Sequence, residues 1–178
     1  MTFENFDLKQ NSLSHFEELT KLLSDLPNYQ MVNDNLSRGG QPTDRGFVRL
    51  KEEGVKTIIN LREEQLQILD EEKLVKGMGL NYHSVALNPF FKPQERDIER
   101  FLRLATDPAN QPVFVHCLHG QDRTGMAVGI YRMLVEGFSL ADAYEEMIAL
   151  GFHAEFALLK EATESYSGKK LEDVLGKL

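Results

Sequence analysis

The run PVFVHCLHGQDRTGMAVGIYRMLVE (112–136) constrains this chain most. Its first six residues form a short apolar strand of the kind buried on both faces, which occurs in parallel sheets covered by helices. A tight loop with Gly120 follows. Met126, Ala127, Ile130, Tyr131, Leu134 and Val135 then recur at helical spacing, and Gly137 is placed to stop that helix. Strand, loop and helix in this order put the loop at the carboxyl end of a strand, where open α/β sheets bind ligands.

The rest of the chain supplies matching parts. VKTIINLR (55–62) and LNYHSVAL (80–87) read as strands, and QMVNDNLSRGGQPTD as short extended pieces before a Gly-Gly turn. Thr43 or Asp44 is placed to cap a helix running to Gly54. Leu66, Leu69, Leu74 and Val75 suggest a helix before Met78, and Ile98, Phe101, Leu102 and Ala105 one over 93–107. Leu13, Phe16, Leu19, Leu22 and Leu23 predict a helix over 11–26, and two more helical patterns follow Gly137 within 139–166. Strands alternating with helices predict one α/β domain over residues 1–178, with its core at about 30–150. Its central, mostly parallel β-sheet is flanked by helices.

Composition narrows the function. A single cysteine, Cys117, excludes an internal disulfide. The net charge of −8 argues against nucleic acid or an anionic membrane as a partner. No run approaches the ~18 apolar residues of a membrane span, and MTFENFDLKQ lacks the basic flank and apolar run of a secretory signal. A soluble, cytoplasmic protein without membrane insertion is the expectation.

The loop explains its cysteine. Residues 118 to 122 would turn several backbone N–H groups toward one concavity, and the following helix adds the partial positive charge of its N-terminus. A tetrahedral oxyanion fits there. Arg123 adds a planar fork that donates two hydrogen bonds to a phosphate. The same field favours the thiolate of Cys117, a nucleophile at neutral pH. Thr124 can place a hydroxyl against the sulfur, and Gly120 lets the backbone turn tightly. Leu118, His119, Gly120, Gln121, Asp122 and Arg123 are thus the phosphate-binding candidates, and Cys117, Asp122, Arg123 and Thr124 the catalytic ones. No cofactor is needed, and the five scattered histidines suggest no metal.

His116-Cys117, five residues, then Arg123-Thr124-Gly125 resembles the signature of the cysteine-based protein tyrosine and dual-specificity phosphatases. LSRGGQPT and TIINLR extend the resemblance over roughly residues 30 to 150. It is nearest the compact dual-specificity-like branch of bacteria, fungi and plants, some of whose members act on inositol phosphates. The resemblance implies two steps: Cys117 attacks phosphorus and expels an alcohol or phenol that a general acid protonates, then water hydrolyses the phosphocysteine. Phosphorylated protein is the family's default substrate, and an inositol phosphate or phosphoinositide the alternative. A low-pKa cysteine also invites reversible oxidation.

One part departs from the family. Its general acid is usually an aspartate about 30 residues before the cysteine, yet NYHSVALNPFFKP (81–93) holds no carboxylate, and Asn88 stands in the plausible place. Asp122 is the first substitute, as in the myotubularin-like branch, against a bland role in shaping the loop. Glu95 and Asp97 are the second, and no dedicated acid the third. A non-catalytic phosphate-binding module and a rhodanese-like sulfur transferase stay open. His116 is expected to orient the loop, His119 to touch substrate or solvent, and Arg38 to bond loop carbonyls. Lys92 and Arg96 either rim the pocket or, with Arg100 and Arg103, belong to a solvated face.

Overall fold

The computed structural model of the chain describes residues 24–176. Five strands form one sheet: β1 (Gln30–Asn33), β2 (Leu36–Gly39), β3 (Thr57–Asn60), β4 (Asn81–Ser84) and β5 (Val113–His116). Their order is β1-β2-β5-β3-β4, with β1 antiparallel to β2 and every other pairing parallel. The described helices are α1 (Asp44–Glu52), α2 (Gln65–Gly77), α3 (Glu95–Thr106), α4 (Asp122–Glu136), α5 (Leu140–Ala149), α6 (Ala157–Glu164) and α7 (Leu171–Leu175).

Alternation along the strands divides the core. Val113 and Val115 of β5 and Ile59 of β3 join a cluster with α3 to α7, including Phe101, Met126, Met147 and Leu159. Phe114 and Ile58 face the other way, onto Phe47 and Leu50 of α1 and Ile68 and Val75 of α2. Burial of β5 on both faces follows, as its unbroken apolar run requires. The registers Gly39↔His116 and Asn60↔His116 make β2, β5 and β3 end side by side. The segments after them, 40–43, 117–121 and 61–64, therefore gather at one edge.

Local chemistry sets the boundaries. Thr43 Oγ accepts the Gly46 N–H at 3.1 Å to cap α1. Ser139 and Asp142 form a reciprocal capping box on α5. Gly137 ends α4 with a left-handed φ of 74°.

Three expectations change. The strands are shorter than the β-rich runs, because only the central residues pair. Of the helix expected over 11–26, residues 11–23 lie outside the described residues, and Ser24–Leu26 are not helical. In α2 the buried face is Ile68, Glu71 and Val75, while Leu66 and Leu69 are exposed. A carboxylate occupies the inner stripe there because it has partners inside.

Candidate active site

β5 delivers His116 and Cys117 to the sheet edge, both buried. The His116 ring is held at both nitrogens: Nδ1 lies 3.1 Å from the Cys117 carbonyl and Nε2 2.8 Å from Glu71 Oε1. One ring nitrogen thus faces a carbonyl oxygen and the other a carboxylate oxygen, which fixes the ring at the base of the loop. The other Glu71 oxygen accepts from Gln41 at 2.6 Å and Gln67 at 2.5 Å. Burial alone would push this carboxyl up. The charge of His116 and these hydrogen bonds outweigh it and hold it below its ordinary range.

The loop carbonyls are tied back toward the sheet. Leu118 O accepts the Gln41 N–H at 2.9 Å. Gly120 O accepts from Asn28 Nδ2 at 3.0 Å and Arg38 Nη2 at 2.6 Å. Among the described residues, no N–H from Leu118 to Arg123 donates to a protein acceptor. Carbonyls on one side leave amides on the other, where the first turn of α4 adds its own. Gly120 has a φ of 71°, and a Cβ there would sit 2.3 Å from the Gly39 backbone. The Gly39-Gly40 turn thus passes directly against the loop.

Arg38 is 1% exposed, and its Nε and Nη1 have no partner among the described residues. Burial pulls its guanidinium down to about 10, while the negative charge of Cys117 pushes it back up. Its contact with Gly120 O is the loop-carbonyl bond expected from the sequence.

Arg123 is buried, donates to Leu87 O at 3.2 Å and pairs with Glu63. Sequence reading missed Glu63. Its signal was the register Asn60↔His116, which brings the residues after β3 beside the loop. Thr124 Oγ1 is fully buried and makes no hydrogen bond, to sulfur or otherwise, among the described residues.

The acid candidates separate. Asp122 Oδ1 accepts the His153 backbone N–H at 2.8 Å and lies 3.1 Å from His153 Nδ1. Glu95 faces Tyr166, and Asp97 lies 3.8 Å from Arg96. No hydrogen bond or ion pair links either to residues 117 to 123. Asn88 Oδ1 accepts the Phe90 N–H at 2.9 Å, which makes it a turn-former.

The mouth is apolar. Phe90 and Phe91 are 71% and 68% exposed. Phe90 packs on Phe156 at 5.7 Å, and Phe156 on His153 at 6.3 Å. Leu118 and His119 are exposed beside it, and Gln121 packs beneath Gly151. Lys92 pairs with Glu161 at 2.6 Å, and Arg96 lies on the solvated face of α3 with Arg100 and Arg103. Neither makes a hydrogen bond or ion pair with the loop. A groove of about 650 Å³ beside it is lined by Asp44, Asp70 and Glu71 against Arg62 alone among cations. Among the described residues no helix is long and apolar enough to cross a membrane.

Comparison with known proteins agrees with this architecture. A family described as DSP-PTPase phosphatase fused to NAD+ kinase matches residues 10–168. The putative tyrosine-protein phosphatase OCA1 of Mycosarcoma maydis is 33% identical over 126 residues, covering 67% of this chain and 77% of the relative. The inositol diphosphatase SIW14 of Saccharomyces cerevisiae is 26% identical over 172 residues, covering 94% of this chain but only 60% of the relative. The solved catalytic core of SIW14, in complex with citrate, superposes with a TM-score of 0.69 at 27% identity, covering 80% of this chain and 87% of that one. TpbA of P. aeruginosa, at 21% identity and a TM-score of 0.67, shares the fold over 83% of this chain and 88% of its own.

Proposed function

The chain belongs to this DSP-PTPase family of protein tyrosine and dual-specificity-type phosphatases, and from that premise we propose a phosphomonoesterase that works through a phosphocysteine at Cys117. One observation carries the reading: a buried cysteine opens a loop in which the carbonyls of Leu118 and Gly120 are tied back to the body of the protein, while the N–H groups of residues 118 to 123 are left without protein acceptors among the described residues. Those amides and the Arg123 fork hold the equatorial phosphate oxygens. Cys117 attacks phosphorus in line, the ester oxygen leaves, and water then releases phosphate from the sulfur. Catalysis of this kind is positioning and charge stabilisation.

The remaining residues have supporting roles. Glu63 holds the Arg123 guanidinium at the loop before substrate arrives. Arg38 and the His116 ring hold the loop from behind through the carbonyls of Gly120 and Cys117. Thr124 offers a buried hydroxyl with its hydrogen-bonding capacity unused to the departing thiolate.

The mouth supports a reading of the substrate class. Phe90, Phe91 and Phe156 suit an aryl phosphate, with the phosphotyrosyl side chain as the natural occupant. A second reading, hydrolysis of an inositol pyrophosphate, rests on the likeness to SIW14. Lys92 and Arg62, the cations such a substrate would use, are paired with Glu161 and Glu64. Phosphate release from 4-nitrophenyl phosphate by wild type and Cys117→Ser tests the chemistry. Turnover abolished by the serine is expected, and turnover that survives it overturns the mechanism. The ratio of kcat/KM for a phosphotyrosyl peptide to that for an inositol pyrophosphate then decides the substrate.

A further inference from the structure

The aryl leaving group proposed above needs a proton, and the segment before the loop holds no carboxylate to give one. The structure supplies a different donor. The Asp122 side chain is 14% exposed and turned wholly onto His153, accepting its backbone N–H and lying 3.1 and 3.2 Å from Nδ1. A carboxylate accepts only, so the Nδ1 proton is fixed between them and Nε2 is left as the exchanging nitrogen. The His153 side chain is 48% exposed, and its ring packs on Phe156, which packs on Phe90.

Its location fits. Asp122 immediately precedes Arg123, and Arg123 bonds Leu87 O, three residues before Phe90. Phe90 packs on Phe156 and Phe156 on His153. These contacts link Asp122, Arg123, Phe90, Phe156 and His153 into one closed set at the end of the phosphate loop, and His153 is its only imidazole. A base or acid held by a third group is the usual arrangement of proton-transfer catalysts.

We propose that His153 is the proton-transfer catalyst of this enzyme and that Asp122 is its positioning residue. In the first step the Cys117 thiolate forms the S–P bond, the P–O bond breaks, and the departing oxygen takes the proton from His153 Nε2. In the second, water attacks phosphorus, its proton goes to Nε2, and the S–P bond electrons return to the thiolate. The imidazole ends each cycle as it began. The titratable and charged groups on the segments in contact with it are Asp122 on α4, Glu155 in its own turn, and Lys160, Glu161 and Glu164 on α6, which follows Phe156, with Glu161 paired to Lys92.

The inference rests on the phosphocysteine reading, and the test separates the two. The measurement is kcat/KM across pH for 4-nitrophenyl phosphate, whose leaving group needs little protonation, and phenyl phosphate, whose leaving group needs it. In His153→Asn, hydrolysis of phenyl phosphate falls on the order of 100-fold and that of 4-nitrophenyl phosphate about 3-fold, because general acid catalysis is worth roughly 10²–10⁴. The basic limb of the phenyl phosphate profile disappears with it. Asp122→Asn, which keeps an acceptor but no charge, gives an intermediate loss with the same substrate dependence. An equal loss on both substrates, or none, overturns the proposal, since a purely structural histidine moves both together. Wild type without Cys117-dependent turnover of 4-nitrophenyl phosphate overturns the underlying reading as well.

Discussion

The loop from Cys117 to Arg123 has two surroundings of opposite character. Behind it, Arg38, Glu71 and His116 are 1%, 4% and 0% exposed, and charged side chains are matched to carbonyls and to one another at 2.6–2.8 Å. In front of it, Phe90 and Phe91 stand largely in solvent, with one aromatic neighbour, Phe156, between them and His153. The floor is held by many contacts, since the carbonyls of Cys117, Leu118 and Gly120 each have a partner and Glu71 gathers His116, Gln41 and Gln67 around it. The mouth is held by few contacts. The support of the loop and the surface that receives substrate are therefore built from different residues, with His153, which contacts both Asp122 and Phe156, the link between them.

The floor gives the largest expected effects. In Gly120→Ala the new Cβ would meet the Gly39 and Gly40 backbone at 2.3–2.6 Å, at a φ that side chains rarely adopt. Neither strand end can retreat, so we expect a loss of about 4 kcal/mol or more and no phosphatase activity, read by urea denaturation and phosphate release. A folded, active Gly120→Ala would show that the floor is less rigid than its contacts indicate.

Glu71→Gln comes next. It removes the charge opposite His116 and turns an amide toward the donors of Gln41 and Gln67. Breaking a buried pair costs about 3 kcal/mol. The pH dependence has a definite sign. The Glu71 carboxyl is lowered in the fold, so its contribution is fully present above its ordinary 4.5 and is lost as pH falls through the lower folded value. Denaturation at pH 7 and below pH 4 should show the gap between wild type and variant narrowing in acid.

Arg38→Met tests the floor's chemistry at a smaller scale. A buried guanidinium with two unpartnered N–H groups is a cation seeking a counter-charge, and the thiolate supplies it. Alkylation of Cys117 by iodoacetamide at pH 6 should slow about tenfold, because the variant removes a buried positive charge bonded to the loop. Arg38→Lys should slow it less. Equal rates in all three proteins would leave Arg38 a purely mechanical role.

What was legible in the sequence follows the same division between local and distant. The strand, the Cys117–Arg123 loop and the α4 stripe were readable because each depends on residues a few positions apart. Arg38 was readable as a carbonyl partner because SRGGQP offered a turn and a donor together. Glu71 was not. Leu66 and Leu69 suggested an inner face for α2 that the fold turns outward, and a buried carboxylate makes sense only once His116, Gln41 and Gln67 surround it. Glu63 sat in a charged run that reads as solvated. His153 lies 31 positions from Asp122, and no periodicity in the chain links them.

The mouth gives the smallest effects, and they sharpen the contrast most. Phe91 is 68% exposed, so its removal takes little from the core, and Phe91→Ala should change stability by less than about 0.5 kcal/mol. Phe90→Ala also loses the contact with Phe156, worth about 1 kcal/mol. If these rings only receive the substrate's aryl group, they act equally in the ground and transition states. KM for a phosphotyrosyl peptide should then rise several-fold while kcat holds. Phe90→Ala should add a fall in kcat on phenyl phosphate, since Phe156 and His153 lose their support. A kcat that falls for Phe91→Ala as well would mean that the mouth shapes the reaction and not only the choice of substrate.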